Sequence, residues 1–329
     1  MKIRNIFFYF ALFFVFILVL EVLFRAFFFF GHRSGFISFF ISSYILTEMG
    51  GGEVITSDQK LLYKYLPNRS FVLKTDSYEH EIKTVDLGFG DIGFRDNGIS
   101  SEVFAVAVGD SISACIGVEY HHCWVKILED KIKSDVVNMG VGGYSTAQKS
   151  IVAQNYALKL KPKFLLFEIN FSDPCDDFYF VNRKKLPIPH PLNNFVSSGL
   201  QRYLITFTFA KLLFETYYYG YTPQRRYRMY YSSCDSGVDF TVQSIEKVYS
   251  ESVKQGTDFV LLVFQERFFP QKLRAYLTDK KNNMYILDFS DLEENADGIY
   301  HADGHFNVKG NTLVAEIIYN YLVSDRILK

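Results

Sequence analysis

The 329-residue chain has no excess of charge of either sign, because 35 Lys and Arg residues stand against 36 Asp and Glu residues and leave a formal net charge of −1 at pH 7. It also lacks a basic tract, a glycine-rich phosphate-binding loop and a cysteine pair with zinc-site spacing. Attraction to phosphates dominates nucleic-acid binding, and glycine-rich loops hold nucleotide phosphates. The sequence therefore gives no support to nucleic-acid or nucleotide binding, and we expect no cofactor.

Cysteine is scarce, with only four residues in the chain. In an oxidising compartment four cysteines allow three disulfide pairings, and their spacing does not choose among them. The four are Cys115, Cys123, Cys175 and Cys234.

Aromatic residues are abundant, and many of the 34 Phe and 23 Tyr residues lie near the amino terminus. Residues 5–20 are uncharged and almost wholly apolar. These 16 residues would span only ~24 Å of a ~30 Å hydrocarbon layer, so a membrane span would include Glu21 and Arg25, which can pair on a helix. No small-residue cleavage site follows, so we expect residues 1–30 to form an uncleaved membrane anchor rather than a removed signal peptide.

The charges that flank this anchor predict its orientation. Lys2 and Arg4 precede it, and the positive-inside bias then places the amino terminus in the cytoplasm and the rest of a single-pass protein outside. Arg25 and Arg33 on the other flank act against this orientation. A second apolar stretch, residues 35–46, is too short to span and is expected to lie on the membrane or pack on the domain.

Apolar segments of strand length alternate with segments of helical periodicity from residue 103 onwards. This alternation predicts a doubly wound α/β fold with a parallel sheet. Expected strands lie at 103–108, 136–138, 164–169, 259–264 and 285–289, and expected helices at 123–133, 146–160, 242–255 (ended by Gly256) and 309–323.

A candidate catalytic serine follows the first of these strands, in Gly109-Asp110-Ser111. A glycine turn and a following helix would place Ser111 at the carboxyl edge of the sheet, where open α/β folds hold their ligands. A serine hydroxyl needs a base, and a third group best fixes the tautomer of that base. His305 and Asp303 can supply both, since Gly304 between them allows a tight turn. Each motif alone is also a common turn or loop.

Three blocks together are more specific than either motif, and they are Gly109 to Ser111, Asn138 to Tyr144 and Asp303 to Asn307. In order and spacing they resemble the blocks of the SGNH/GDSL hydrolases, and residues 55–175 and 240–325 are similar to the membrane-anchored bacterial branch of that family. The resemblance implies a three-layer, flavodoxin-like sheet and an ester hydrolase or acyltransferase.

Residue roles also follow from the resemblance. Ser111 matches the nucleophile, His305 the base and Asp303 its partner, while the N–H groups of Ser111 and Gly143 match donors to the oxyanion. We expect Cys115, just past the nucleophile, to be a small buried side chain rather than a second nucleophile.

The fourth block departs from the family pattern. Members place an asparagine directly before Asp173, whereas this chain has Ser172 there. We expect Ser172 to donate to the oxyanion, and Asn170, two residues earlier on the same strand face, is the alternative donor that would sit too deep. Losing one donor costs roughly a hundredfold to a thousandfold in rate, so the departure predicts weakened rather than abolished activity.

The chain is thus predicted to hold an anchor (1–30), a linker and extension (31–100) and a hydrolase domain (101–329) with an aromatic insertion at about 178–235. The insertion carries Arg and Lys among its aromatic residues and could stack on sugars or hold acidic groups, or could be a packing lid or a membrane-facing surface. We therefore expect a serine esterase acting on acyl esters, O-acetyl foremost, of an envelope carbohydrate or lipid. An O-acyltransferase and a catalytically silent polysaccharide-binding protein are the alternatives.

A metal site is a rival interpretation of the carboxyl-terminal motif. His301, Asp303 and His305 alternate, so on an extended segment they would share one face, as metal ligands can. The order of the blocks favours catalysis by serine and predicts no metal. On this interpretation His301 and the pair His121-His122 are exposed loop residues.

Overall fold

The computed structural model describes residues 9, 12–13, 15–23, 54–75, 77–182, 223–281, 283–295 and 297–324. The chain divides into two compact units, of which one contains residues 54–186 and 229–329 and the other residues 1–53 and 187–228. The first unit contains every strand named here. In the described residues these strands are β1 (Ile55–Asp58), β2 (Leu62–Tyr65), β3 (Arg69–Lys74), β4 (Glu79–Asp86), β5 (Gly93–Phe94), β6 (Val103–Val108), β7 (Asp135–Asn138), β8 (Phe164–Ile169), β9 (Asp258–Val263) and β10 (Tyr285–Asp288).

Helices connect and cover these strands. Short 3₁₀ segments at Tyr120–His122, Ala157–Leu160 and Glu266–Phe268 accompany them. The α-helices are α1 (Trp124–Ile132), α2 (Thr146–Asn155), α3 (Asp173–Asn182), α4 (Pro223–Lys254), α5 (Gln271–Lys280), α6 (Ser290–Asn295) and α7 (Val308–Ser324).

The central sheet has five parallel strands in the order β10-β9-β8-β6-β7. The chain starts at β6, adds β7 on one side and then continues on the other side with β8, β9 and β10. This reversal of direction is the topological switch point of a doubly wound sheet, and ligands bind outside the carboxyl ends of the strands there. The predicted α/β class and parallel sheet are confirmed.

Each face of the sheet has its own core, and β6 shows how the sequence builds both. Ala105 and Ala107 point to a core that includes Trp124 of α1 and Ile318 of α7. Val106 and Val108 alternate with them and point to the opposite core, which includes residues of α2, α4 and α5. Alternation of side chains along a strand therefore places apolar groups on both faces, as expected of a sheet covered by helices on both sides.

The predicted elements of the central sheet agree with the structure, with two differences among the helices. The five strands are confirmed to within one residue at either end. The helix expected at 146–160 is interrupted at Tyr156, whose φ of −130° and ψ of −60° are not helical. The helix expected at 242–255 begins 19 residues earlier, at Pro223. The disulfide between Cys175 and Cys234 joins its early part to α3, a contact that periodicity cannot reveal.

The segment before the central sheet contains regular strands from residue 55 onwards. β1 and β2 form an antiparallel hairpin, and β3, β4 and β5 form a three-stranded antiparallel sheet. We call residues 54–94 the amino-terminal extension. Gln148 of α2 donates a hydrogen bond of 2.6 Å to the carbonyl of Leu61, so the extension is attached to the helix that follows β7.

The predicted anchor and insertion lie largely outside the described residues. Residues 9, 12–13 and 15–23 are helical. In the part of the chain that the structure describes, no helix has both the length and the apolar character needed to cross a membrane. Residues 183–222 of the insertion are also outside the described part of the chain.

The structure pairs all four cysteines. Cys115 bonds to Cys123 within the connection from β6 to α1, and Cys175 bonds to Cys234 across 59 positions of sequence. Cys115 is buried and disulfide-bonded, which agrees with its predicted structural role.

These pairings predict different losses of stability when each disulfide is removed. A disulfide restricts the unfolded chain more when it closes a longer loop. We expect Cys175→Ala/Cys234→Ala to lower the free energy of unfolding by about 4 kcal/mol and Cys115→Ala/Cys123→Ala, the matched control with the short loop, by about 2.5 kcal/mol. Urea denaturation followed by circular dichroism measures both. Equal losses of unfolding free energy in the two variants would contradict the expected dependence on loop length.

Candidate active site

The predicted nucleophile lies directly beyond the carboxyl end of β6, at the switch point of the sheet. The Ala114 N–H donates 2.8 Å to the Asp110 carbonyl, and the Ile116 N–H donates 3.0 Å to the Ser111 carbonyl. Only one helical turn forms, because Cys115 adopts a left-handed φ of 52°. Our prediction of a helix directly after the glycine turn is therefore wrong, and the first α-helix after β6 is α1. Ser111 itself is half-buried.

A buried charge cluster lies beneath this turn. The Lys149 ammonium is 2.8 Å from Asp173, 3.6 Å from Asp110 and 3.8 Å from Glu168. Burial acts to lower the pKa of Lys149, but the charges of the three carboxyl groups outweigh it, and the pKa lies above its ordinary value. Lys149 is therefore charged, and its charge stabilises carboxylates that would otherwise be costly to bury.

Glu168 connects this cluster to the backbone of the nucleophile turn. Its Oε2 accepts the Ser113 N–H at 2.9 Å and the Asp110 N–H at 3.2 Å, and also accepts the Ser113 hydroxyl. A Cβ at Gly109 would lie 1.9 Å from this oxygen, so only glycine fits there. Glu168 thus sets both the path of the turn and the residue type that opens it.

A single ammonium faces three carboxyl groups, so burial and their mutual repulsion shift their pKa values apart. Burial, followed by the charge of Asp110, raises the pKa of Glu168 well above its ordinary value. Burial also acts to raise the pKa of Asp110, but Lys149 and hydrogen bonds from Glu168 and Ile112 outweigh it and lower that pKa. Glu168 is therefore the carboxyl group that keeps a proton more readily, and Asp110 is the one that ionises more readily.

Asp303 and His305 meet in the loop between α6 and α7, as the sequence predicted. Nδ1 of His305 is 3.0 Å from Oδ2 of Asp303, and the His305 backbone N–H donates 3.2 Å to Oδ1 of the same carboxylate. Partial burial acts to raise the pKa of Asp303, but hydrogen bonds from Tyr78 and His305 outweigh it, and the pKa lies below its ordinary value. The pair is an ionised carboxylate that orients an imidazole, which leaves Nε2 of His305 to accept a proton.

The loops that carry Ser111 and His305 contact each other. Nε2 of His301 lies 2.9 Å from the carbonyl of Gly117, in the segment that follows Ser111. In the described residues, Ser111 and His305 are not joined by a hydrogen bond. Such bonds are often long before substrate binds, so the contact between the two loops supports the predicted pairing without completing it.

The predicted oxyanion glycine, Gly143, lies in the loop after β7. Its φ of 78° is a left-handed conformation suited to glycine. Tyr63 and Tyr65 of the extension hold the preceding residue: the Tyr63 hydroxyl donates 2.7 Å to the Gly142 carbonyl, and the Gly142 N–H donates 3.3 Å to the Tyr65 hydroxyl. A Cβ at Gly142 would be 4.0 Å from Cβ of Ser111, so this loop lies beside the nucleophile.

Ser172 and Asn170 follow β8 and are already hydrogen-bonded. The Ser172 hydroxyl lies 2.8 Å from Asp176 and 3.0 Å from Oδ1 of Asn170, both acceptors for its one proton. Asn170 is buried, and its amide donates to the Asp110 carboxylate. Donation to an oxyanion by Ser172 stays a prediction and would require its proton to leave these acceptors.

Several residues that shape the site carried no assigned role in the sequence. The buried Arg95 guanidinium donates to the carbonyls of Ala114, Cys115 and Val118, so it holds the far side of the nucleophile loop. Arg95 lies within residues 55–175, but nothing in the sequence there shows which backbone groups it contacts. The other such residues are Tyr63, Tyr65, Tyr78, Lys149 and Glu168.

The described part of the chain does not arrange His301, Asp303 and His305 as ligands of one metal ion. There, no group of three or more His, Cys, Asp or Glu side chains is placed to hold a metal ion. His301 is half-buried rather than exposed, because its ring contacts Gly117. His121 is exposed and His122 half-buried, with their ring centroids 4.0 Å apart.

No protein-family model and no curated relative matches the chain. Among solved structures, the psychrotrophic esterase EstA from Pseudoalteromonas sp. is 14% identical, with 67% of this chain and 96% of that chain covered and a TM-score of 0.41. A GDSL-like lipase from Bacteroides thetaiotaomicron is 12% identical, with coverages of 68% and 87% and a TM-score of 0.36. A catalytic mutant of Axe2, an acetylxylan esterase from Geobacillus stearothermophilus, is 12% identical, with coverages of 68% and 96% and a TM-score of 0.38. At these identities and TM-scores the similarities assign no activity to this chain, and a proposal of function has to rest on the residues of the site.

The raised pKa of Glu168 predicts how stability depends on pH. A buried acid with a raised pKa stabilises the fold while protonated, and this contribution is lost as pH rises above its ordinary pKa towards the folded-state value. Glu168→Gln is neutral at every pH, so its stability relative to wild type should increase from pH 5 to pH 9, by up to about 1.4 kcal/mol per pH unit. Urea denaturation at several pH values measures this, with the exposed Glu102→Gln as control. Parallel curves for Glu168→Gln and wild type would mean that folding does not raise the pKa of Glu168.

Proposed function

We propose that the protein is a serine ester hydrolase that forms an acyl-enzyme at Ser111. The observation that carries the proposal is the Asp303–His305 pair, whose loop contacts the nucleophile loop at the switch point of the sheet. A serine becomes a useful nucleophile when an oriented imidazole takes its proton. Here the serine and the imidazole lie in two loops that contact each other, although Ser111 and His305 are far apart in the sequence.

The proposed reaction begins with attack by Oγ of Ser111 on the ester carbonyl. His305 accepts the serine proton, and Asp303 stabilises the resulting imidazolium through Nδ1. The tetrahedral intermediate places its negative oxygen towards the backbone N–H groups of Ser111 and Gly143. When the intermediate collapses, the C–O bond to the alcohol breaks and His305 returns the proton to the leaving oxygen.

The second half of the reaction repeats the first with water. His305 takes a proton from water, the hydroxide oxygen attacks the acyl carbonyl, and the ester bond to Ser111 breaks as the serine recovers a proton from His305. The product is a carboxylic acid. We propose that the reaction is slower than it would be with an asparagine at position 172. The Ser172 hydroxyl also hydrogen-bonds to Asp176 and Asn170, which compete with the oxyanion for its proton.

We further propose that the substrate is an acyl ester, with O-acetyl foremost, on a carbohydrate or lipid of the cell envelope. Two observations support this context. Both disulfides suit an oxidising compartment. Lys2 and Arg4 before the apolar segment favour a cytoplasmic amino terminus with the domain on the outside.

Ser111→Ala tests the enzymatic proposal. Removing the nucleophile should lower hydrolysis of p-nitrophenyl acetate by about 10⁴-fold or more and abolish labelling by a fluorophosphonate probe. Circular dichroism should show an unchanged fold. The matched control is Ser134→Ala, because Ser134 lies before β7 at the opposite edge of the sheet. Wild-type rates and labelling in Ser111→Ala would refute the proposal.

The proposed location has its own test. An alkaline phosphatase fused after Lys329 should be active in a bacterial host, since this reporter folds only where disulfides form. The same fusion without residues 1–30 is the matched control and should be inactive. Activity in a cytoplasmic reporter at the same position, with a silent phosphatase, would place the domain inside the cell.

A further inference from the structure

Tyr78 of the amino-terminal extension contacts the proposed catalytic pair from a distant part of the sequence. It lies in the turn between β3 and β4, which is closed by a 2.9 Å hydrogen bond from the Thr75 N–H to the Tyr78 carbonyl. The Tyr78 N–H also donates 3.2 Å to the Thr75 hydroxyl. The backbone that carries the tyrosine is therefore held on both sides.

The Tyr78 hydroxyl donates 2.6 Å to Oδ2 of Asp303, across 225 positions of sequence. The same oxygen lies 3.0 Å from Nδ1 of His305. The Tyr78 ring also packs beside both histidines of the loop, with ring centroids 4.9 Å from His301 and 6.5 Å from His305. One side chain thus contacts the carboxylate through its hydroxyl and the imidazoles through its ring.

We propose that Tyr78 is a positioning residue that fixes the Asp303 carboxylate in the orientation that His305 needs. This inference rests on the proposed function of the same site. The last torsion of an aspartate side chain is broad, so a carboxylate held only by its imidazole partner can rotate. Two donors on one oxygen, together with the His305 N–H on the other, leave a single orientation.

The tyrosine keeps its proton for this role. Burial, followed by the hydrogen bond and charge of Asp303, raises the pKa of Tyr78 above its ordinary value. Among the described residues, the side chains that hydrogen-bond the Asp303 carboxylate are those of Tyr78 and His305. Burial, followed by the charge of Arg95, lowers the pKa of the neighbouring His80 to about 4, so His80 is neutral at neutral pH.

Tyr78→Phe is the direct test, because it removes the hydroxyl and keeps the ring. We expect kcat/KM for p-nitrophenyl acetate to fall about tenfold, the value for one hydrogen bond to a charged group. The acid limb of the pH profile should also move to higher pH, since a carboxylate that loses a donor takes up a proton more readily. Tyr276→Phe is the matched control: its hydroxyl donates 3.1 Å to Glu246, between α5 and α4, and its loss should leave both readouts unchanged.

A double-mutant cycle separates positioning from a general effect on the fold. If Tyr78 acts through Asp303, then adding Tyr78→Phe to Asp303→Asn should lower kcat/KM by less than about twofold. A tenfold loss in both backgrounds would overturn the inference, and so would a Tyr78→Phe enzyme that behaves like Tyr276→Phe.

Proton NMR gives a readout that does not need activity. The Nδ1 proton of His305 should give a downfield resonance in wild type that is lost in Asp303→Asn and broadened or shifted in Tyr78→Phe. An unchanged resonance in Tyr78→Phe would overturn the inference. An inactive wild-type protein that still shows the expected resonances would refute the esterase proposal while supporting the role of Tyr78 in orienting the pair.

Discussion

The geometry of the candidate site depends on the electrostatic interaction between the buried ammonium of Lys149 and the carboxyl groups around it. The ammonium lies among Asp110, Glu168 and Asp173, each of which also binds backbone of the loops at the carboxyl edge of the sheet. Removing one partner of a buried ion pair typically costs 3–5 kcal/mol, about half the stability of a typical domain. The nucleophile turn is therefore coupled to global stability, which suits a group that must be held in one geometry.

The two halves of the proposed machinery are held in different ways. Ser111 follows a buried strand, above a cluster with almost no exposure to solvent. Asp303 and His305 lie in a partly exposed loop, with side chains 18% and 27% exposed. Charges near solvent are screened, so this pair gains less from electrostatics and more from added contacts. The Tyr78 hydrogen bond and the contact between His301 and Gly117 supply such contacts.

The amino-terminal extension contributes to both halves. Tyr63 and Tyr65 hold the loop of Gly142 beside the nucleophile. Tyr78 contacts the carboxylate of Asp303, the partner of the catalytic base. Arg95, the residue directly after the extension, binds three carbonyls of the nucleophile loop. A minimal α/β sheet has no element in these places, so the extension is part of the candidate site rather than a linker to it.

Sequence alone determined the central sheet, because strand and helix periodicity are local properties that β6 and α7 express without help from distant residues. It also identified Ser111, Asp303 and His305 as candidates, because the residue types and their order carry the chemistry. Only the tertiary structure decided which cysteines pair, that a helix does not follow Ser111 directly, and that Lys149, Glu168 and Tyr78 meet the site. The physical reason is that hydrogen bonds and buried charges join atoms close in space, and a pair separated by 225 positions leaves no periodic signal.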